Sequence, residues 1–210
     1  MQDFSLARRA MVDSQLRPEA VTDRGVLAAM ATVERERFVP ESARALAYFD
    51  RPLRLSDDRA MMPPAALGRL LSELAPRGGE RALVVGSGTG YAAALLKAIG
   101  LDVVGLEPDE TLAKSAREAG IDTVVGDLAA GWAKGAPYDI ILLDGAVEEV
   151  PATLCKQLVP GGRLAGAIVD RGVTRLVVGR VAGGSLGHRS LADADVAVLP
   201  GFSRPRAFTF

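Results

Sequence analysis

Apolar positions change their period twice along this chain. Over the first third they recur at helical spacing. Val26, Leu27, Met30 and Val33 follow Thr22-Asp23, either of which can cap a helix, and Leu67, Leu70, Leu71 and Leu74 form a second stripe behind Pro63-Pro64. Between the stripes, residues 35–53 show no period and read as ordered loop. From Arg81 onward short apolar runs alternate with helical patterns. Residues 82–85, 103–106, 121–125, 139–143 and 163–169 read as strands, the last entered through the Pro160-Gly161-Gly162 turn; 91–99, 110–119 and 150–158 read as helices. That alternation predicts a mostly parallel sheet with right-handed crossovers. Past Asp170 the helical patterns stop. Residues 173–181 and 207–210 read as strands adding an antiparallel edge, with Gly183-Gly184-Ser185 as a turn. The expected architecture is one α/β domain over 1–210: an N-terminal helical extension (1–76), a Rossmann-like core (77–170) and antiparallel C-terminal strands (171–210).

The first strand of the core runs into Gly86-Ser87-Gly88-Thr89-Gly90 and then a helix. Glycines there let the backbone turn sharply and let a ligand approach main-chain N–H groups. The G-x-G-x-G spacing differs from the dinucleotide fingerprint, which disfavours a nicotinamide enzyme. Glu107 ends the second strand about 20 residues on, where an acid in such sheets bonds ribose hydroxyls. Gly126-Asp127 ends the third strand, so all three features share the carboxyl edge of the sheet, where open α/β sheets bind ligands. This agreement predicts a nucleoside-type cofactor.

Composition narrows the partners. The 210 residues are 49% apolar and carry 25 basic against 26 acidic groups, so no basic field draws in nucleic acid or anionic lipid. No apolar run reaches membrane-spanning length, and the N-terminus lacks the pattern of a signal peptide. The single cysteine, Cys155, excludes an internal disulfide and fits a reducing, cytoplasmic compartment. One histidine, His188, and one distant cysteine predict neither a metal site nor a His-dependent triad.

Along nearly its whole length the chain resembles the protein-L-isoaspartate O-methyltransferases. The resemblance rests on Val26-Leu27-Ala28-Ala29-Met30, Val33-Glu34-Arg35-Glu36-Arg37-Phe38-Val39-Pro40, Ala47-Tyr48-Phe49-Asp50-Arg51-Pro52-Leu53, the glycine loop with Tyr91, Gly126-Asp127, Gly131-Trp132, Ala136-Pro137-Tyr138-Asp139 and Gln157-Leu158-Val159-Pro160-Gly161-Gly162-Arg163-Leu164. It implies a class I methyltransferase fold, S-adenosylmethionine as cofactor, and a protein or peptide substrate bearing isoaspartyl carboxylates. The resemblance places the cofactor along Gly86, Ser87, Gly88, Thr89 and Gly90, with Glu107 on the ribose and Asp127 and Leu128 beside the adenine. It places the acceptor carboxylate at Ala60, Met61 and Met62.

Four departures fall in that machinery. The family's Gln-Thr-Ile-Ser-x-Pro stretch is here Arg59-Ala60-Met61-Met62-Pro63-Pro64, so Met62 stands for the serine that contacts the carboxylate. Val84 replaces an acid two residues before the loop, Leu128 a glycine, and Asp144 a small or hydroxylated residue; Asp144 reads either as a solvated strand end, the preferred reading, or as a negative charge supplied from a neighbouring strand in place of the acid missing at Val84. Methyl transfer to an ionised carboxylate needs alignment rather than acid–base help, so a missing histidine costs nothing, but a missing orienting hydroxyl does. The expectation is isoaspartyl methylation that is weak or absent beside that of a relative with the family's serine. The alternatives are a methyltransferase for another acceptor and an inactive cofactor-binding or regulatory relative.

Overall fold

A computed structural model describes residues 3–183 and 185–202. Helix α1, Phe4–Met11, starts where the Asp3 carboxylate accepts the amides of Ser5 and Leu6, and continues as one π-helical turn over Val12–Leu16. Helix α2, Arg24–Thr32, is capped by Asp23, whose side chain takes the Val26 amide; of the two candidates, the aspartate does the capping. The aperiodic stretch contains two 3-10 turns, Arg35–Phe38 and Glu41–Leu46, then a small antiparallel hairpin of β1, Leu53–Arg54, and β2, Ala60–Met61. Two-residue strands are too short to show a period, so the pattern gave no sign of this hairpin. Helix α3, Pro64–Leu74, opens on its proline and buries Leu67, Leu70, Leu71 and Leu74. At Gly68 the N-terminal segments press closest: a Cβ there would lie 3.1–3.3 Å from side-chain atoms of Val21, Met30 and Leu16.

The main sheet begins with β3, Arg81–Val85, followed by α4, Tyr91–Ile99, then β4, Asp102–Glu107, α5, Glu110–Glu118, and β5, Thr123–Val125. The chain then returns to the other side of β3 with β6, Tyr138–Val147. Helix α6, Ala152–Cys155, leads to β7, Leu158–Asp170, and the sheet ends in β8, Val173–Ala182, and β9, Ser185–Asp193. Spatial order is β5-β4-β3-β6-β7-β8-β9, with the last two pairings antiparallel and the others parallel. The Rossmann-like fold and its antiparallel edge are therefore as expected. Side chains alternate across β3: Ala82 and Val84 join the core under α3 and α4, while Leu83 and Val85 join the opposite core with Leu106, Ile141 and Leu143.

Three expectations need correction. The helix foreseen over 150–158 is a single turn, because Pro151 fixes its start and Leu158 is already paired with Tyr138 in the sheet. Pro160-Gly161-Gly162 is not a turn ahead of a strand. It is a bulge inside β7, where the register jumps between the Leu158 and Arg163 pairings. β9 was not foreseen, because its largely exposed Ser, His and Arg positions carry no apolar alternation. Gly184 and the strand expected at 207–210 lie outside the described residues. After β9 the chain crosses back to the end of β6. Ala146 accepts the Leu199 amide and donates its own to the Ala197 carbonyl, both at 2.8 Å.

Candidate functional site

Strand order reverses at β3, since β4 and β5 extend one way and β6 the other. Such a switch point opens a crevice at the carboxyl ends of the strands. The loop 86–90 fills it. Gly86 and Gly88 adopt left-handed φ of 75° and 54°, which explains why glycine stands at both. The amides of Gly86 and Ser87 both donate to the Leu106 carbonyl, which holds the loop to β4. Thr89 donates its hydroxyl to the Phe38 carbonyl at 2.5 Å, tying the loop to the N-terminal extension. The Ser87 hydroxyl is buried without a hydrogen-bond partner.

Glu107 lies at the end of β4, directly under the loop and fully buried. Its Oε2 accepts the Gly88 amide at 2.7 Å and its Oε1 the Asp109 amide at 3.3 Å. Arg59, from the β1–β2 turn, takes the rest: its Nε and Nη2 donate to Oε1 and Oε2 at 3.2 and 3.0 Å, and Nη2 also donates to the Gly86 carbonyl at 2.6 Å. Sequence reasoning missed Arg59 as a site residue. It lies 48 positions from Glu107, and only the hairpin brings the two together.

Glycines and a buried strand-end acid are the residue types that hold a nucleoside, so the donor set fits S-adenosylmethionine. In this conformation, however, the hollow over the loop is filled from within. A Cβ on Gly86 would meet Leu199 Cδ2 at 2.6 Å and Arg59 Nη2 at 3.0 Å; one on Gly88 would meet Leu55 Cδ1 at 2.9 Å. The open cleft of about 550 Å³ bordered by Val150, Cys155, Ile168, Arg175 and His188 contains none of these residues.

Asp127 is exposed and its carboxylate accepts the Ala129 amide at 2.8 Å, an Asx-type turn. Leu128 is only 2% exposed and belongs to the core with Leu106, Leu143 and Leu154. Ala60 and Met61 form β2, and Met62 follows it, buried in the core with Tyr91 and Val84. The Met62 carbonyl accepts from Arg35 Nη2 at 2.6 Å; Arg35 is wholly buried, lies over the Tyr91 ring at 4.8 Å, and donates through Nε to the Ala47 carbonyl. Arg35 Nη1, the Tyr91 hydroxyl and Asp144 Oδ1 are buried without hydrogen-bond partners.

Asp144 is the clearest correction at the site: it is buried, not solvated. Burial pushes its carboxyl up to about 7, against the pull of the Arg59 and Arg35 guanidinium groups, while Glu107 pushes it further up. β3 and β6 are neighbours in register, Val84 beside Leu142, so Asp144 sits one strand over and two residues along from Val84. A carboxyl absent at Val84 is therefore present nearby at Asp144. Arg35 is fully buried and has its charged form disfavoured by that burial, with Tyr91 and Asp144 offsetting the cost.

Comparison with known proteins agrees with this geometry. The family model described as Protein-L-isoaspartate(D-aspartate) O-methyltransferase (PCMT) matches residues 7–184. A protein-L-isoaspartate O-methyltransferase 2 of Anaeromyxobacter sp. (strain Fw109-5) is 42% identical over 81% of this chain and 73% of its own length. A protein-L-isoaspartate O-methyltransferase of Koribacter versatilis (strain Ellin345) is 36% identical over 94% of this chain and 92% of its own. A solved protein-L-isoaspartate O-methyltransferase superposes with a TM-score of 0.81 at 25% identity, covering 92% of this chain, which spans 66% of that one. A putative Plasmodium falciparum enzyme, solved with S-adenosyl-L-homocysteine, shares the fold at a TM-score of 0.78 and 20% identity, over 95% of this chain and 99% of its own. With a glycine loop and strand-end acid at the switch point, and a family match over most of its length, the chain belongs to the protein-L-isoaspartate O-methyltransferase family and is an S-adenosylmethionine-dependent methyltransferase.

Proposed function

We propose that the chain methylates isoaspartyl carboxylates of damaged proteins or peptides, as a cytoplasmic repair activity carried by a single domain, 1–210. The observation that carries the reading is the burial of Glu107 beneath the glycine loop at the switch point, in a chain matched by this family over 7–184. Loop residues 86–90 would lie along the cofactor, with Glu107 on its ribose and Asp127 and Leu128 at the adenine end. Ala60, Met61 and Met62 would border the acceptor. The cytoplasmic assignment draws on the lone, unpaired Cys155; among the described residues no helix is long and apolar enough to cross a membrane.

The cofactor, when bound, supplies a methyl group already activated on a sulfonium. The protein's own task is to orient a carboxylate against it and exclude water. Met62 has no donor to offer a carboxylate. Arg35, which already holds the Met62 carbonyl, stacks over the Tyr91 ring behind it.

Transfer of labelled methyl to an isoaspartyl peptide, with the matching aspartyl peptide as control, tests the function. Labelling of the isoaspartyl form alone is expected; equal labelling or none rejects it. Turnover should fall about one to two decades below a serine-bearing relative, the cost of one lost hydrogen bond to a charged group felt in the transition state. Met62→Ser alone should recover little, because groups acting together are not additive. Ala60→Thr, Met62→Ser and Val84→Glu combined is the fairer restoration, and wild-type turnover equal to the relative's would remove any need for it.

A further inference from the structure

A ribose diol binds a strand-end acid by donating to its oxygens. Glu107 has about four acceptor positions. Two take the amides of Gly88 and Asp109, and the other two are held by Arg59 Nε and Nη2. No acceptor is left for a nucleoside. The Arg59 side chain is 2% exposed, so this is a desolvated pair rather than a surface contact that solvent would loosen. Its third hydrogen bond, to the Gly86 carbonyl, draws the guanidinium across the mouth of the loop, and Leu199 fills the space beside it. The resemblance places a neutral glutamine at position 59, whereas this chain has an arginine.

We propose that Arg59 sets the affinity of this chain for its cofactor by competing internally for the ribose-binding oxygens of Glu107. The ion pair must open before a nucleoside is admitted. Leu199, seated over Gly86 and Gly145, closes the same hollow from the C-terminal side. The proposal rests on the reading of Glu107 as the ribose acid, and the test separates the two.

Calorimetric titration of the full chain with S-adenosylhomocysteine, for wild type, Arg59→Gln, Arg59→Met and Leu199→Ala, reads the affinity directly. Arg59→Gln keeps a donor for the buried acid and guards against a variant that fails to fold. Leu199→Ala opens the hollow without touching the ion pair. Both Arg59 variants should bind about tenfold or more tightly than wild type, the scale of one charge-assisted hydrogen bond no longer broken on binding. Leu199→Ala should shift affinity in the same direction. Added ligand should also raise the melting temperature of Arg59→Gln more than that of wild type. Equal or weaker binding by folded Arg59 variants overturns the proposal, since Arg59 would then be structural or a cofactor contact. Glu107→Gln in the Arg59→Gln background addresses the underlying reading: unchanged affinity there rejects Glu107 as the ribose acid. If wild-type binding depends on Glu107 but not on Arg59, the ribose reading survives and the competition does not.

Discussion

Asp144 carries the most direct consequence at the scale of one residue. Its carboxyl is raised from 3.8 to about 7, chiefly by burial, so between those values the folded chain holds a proton that the unfolded chain releases. The stability this provides is complete below about pH 4 and lost as pH rises through 7. Asparagine reproduces the protonated shape without the charge. Asp144→Asn should therefore melt higher than wild type at pH 8 and close to it at pH 4. The ceiling is about 4 kcal/mol at about 1.36 kcal/mol per pKa unit. Equal shifts at both pH values would show that Asp144 titrates normally. The residue also marks how far sequence reading reaches. Gly86, Gly88 and Glu107 were legible because their roles follow from strand-to-loop position alone, through left-handed φ and the end of β4. Asp144 looked like a solvated strand end because the guanidinium groups that make its burial tolerable, Arg35 and Arg59, come from distant segments. Arg59 itself gave no local signal, since a lone arginine in an aperiodic stretch is ordinarily solvated.

At the scale of elements, the segment after β9 and the end of β6 act as one unit. Gly145 has no room for a side chain: a Cβ would lie 2.5 Å from Leu199 Cγ and 3.2 Å from the Ala197 carbonyl oxygen. Gly145→Ala should push that segment off β6 at a cost of about 1–3 kcal/mol, typical of overpacking. Amide exchange should read the change locally, with Ala146 and Leu199 losing protection while β3 and β4 keep theirs. Uniform loss across the sheet would mean that the segment is not a separable clasp. Element type was readable wherever the period was long, as in α4 and β8. It failed where short elements are fixed by tertiary pairing, as in the β1–β2 hairpin, the single turn of α6 and the bulged start of β7.

For the whole molecule, α3 joins the N-terminal extension to the sheet. Its leucines share the core of β3 and β6, and Gly68 receives Leu16, Val21 and Met30. Gly68→Ala adds one methyl at 3.1–3.3 Å from flexible side chains and gains helix propensity of about 1 kcal/mol, so the two effects should nearly cancel in urea unfolding. Gly68→Val adds bulk that those neighbours cannot yield to, and should cost about 1–3 kcal/mol. Little change with valine would show the extension to be loosely docked. The bond from the Thr89 hydroxyl to the Phe38 carbonyl, which ties the core to the extension, points the other way.

The order in which the chain is made gives the Leu199 contact a further meaning. Arg59, Gly86 and Glu107 are all synthesised well before Leu199. Contacts so far apart along the chain are slow to form, because the intervening loop must close before they are rewarded. Strands β6 to β9 are all synthesised before Leu199 can reach Gly145. A nascent chain would thus pass through a stage in which Arg59 can lie across the glycine loop and Leu199 cannot. During that interval one barrier to a nucleoside is present and the other does not yet exist.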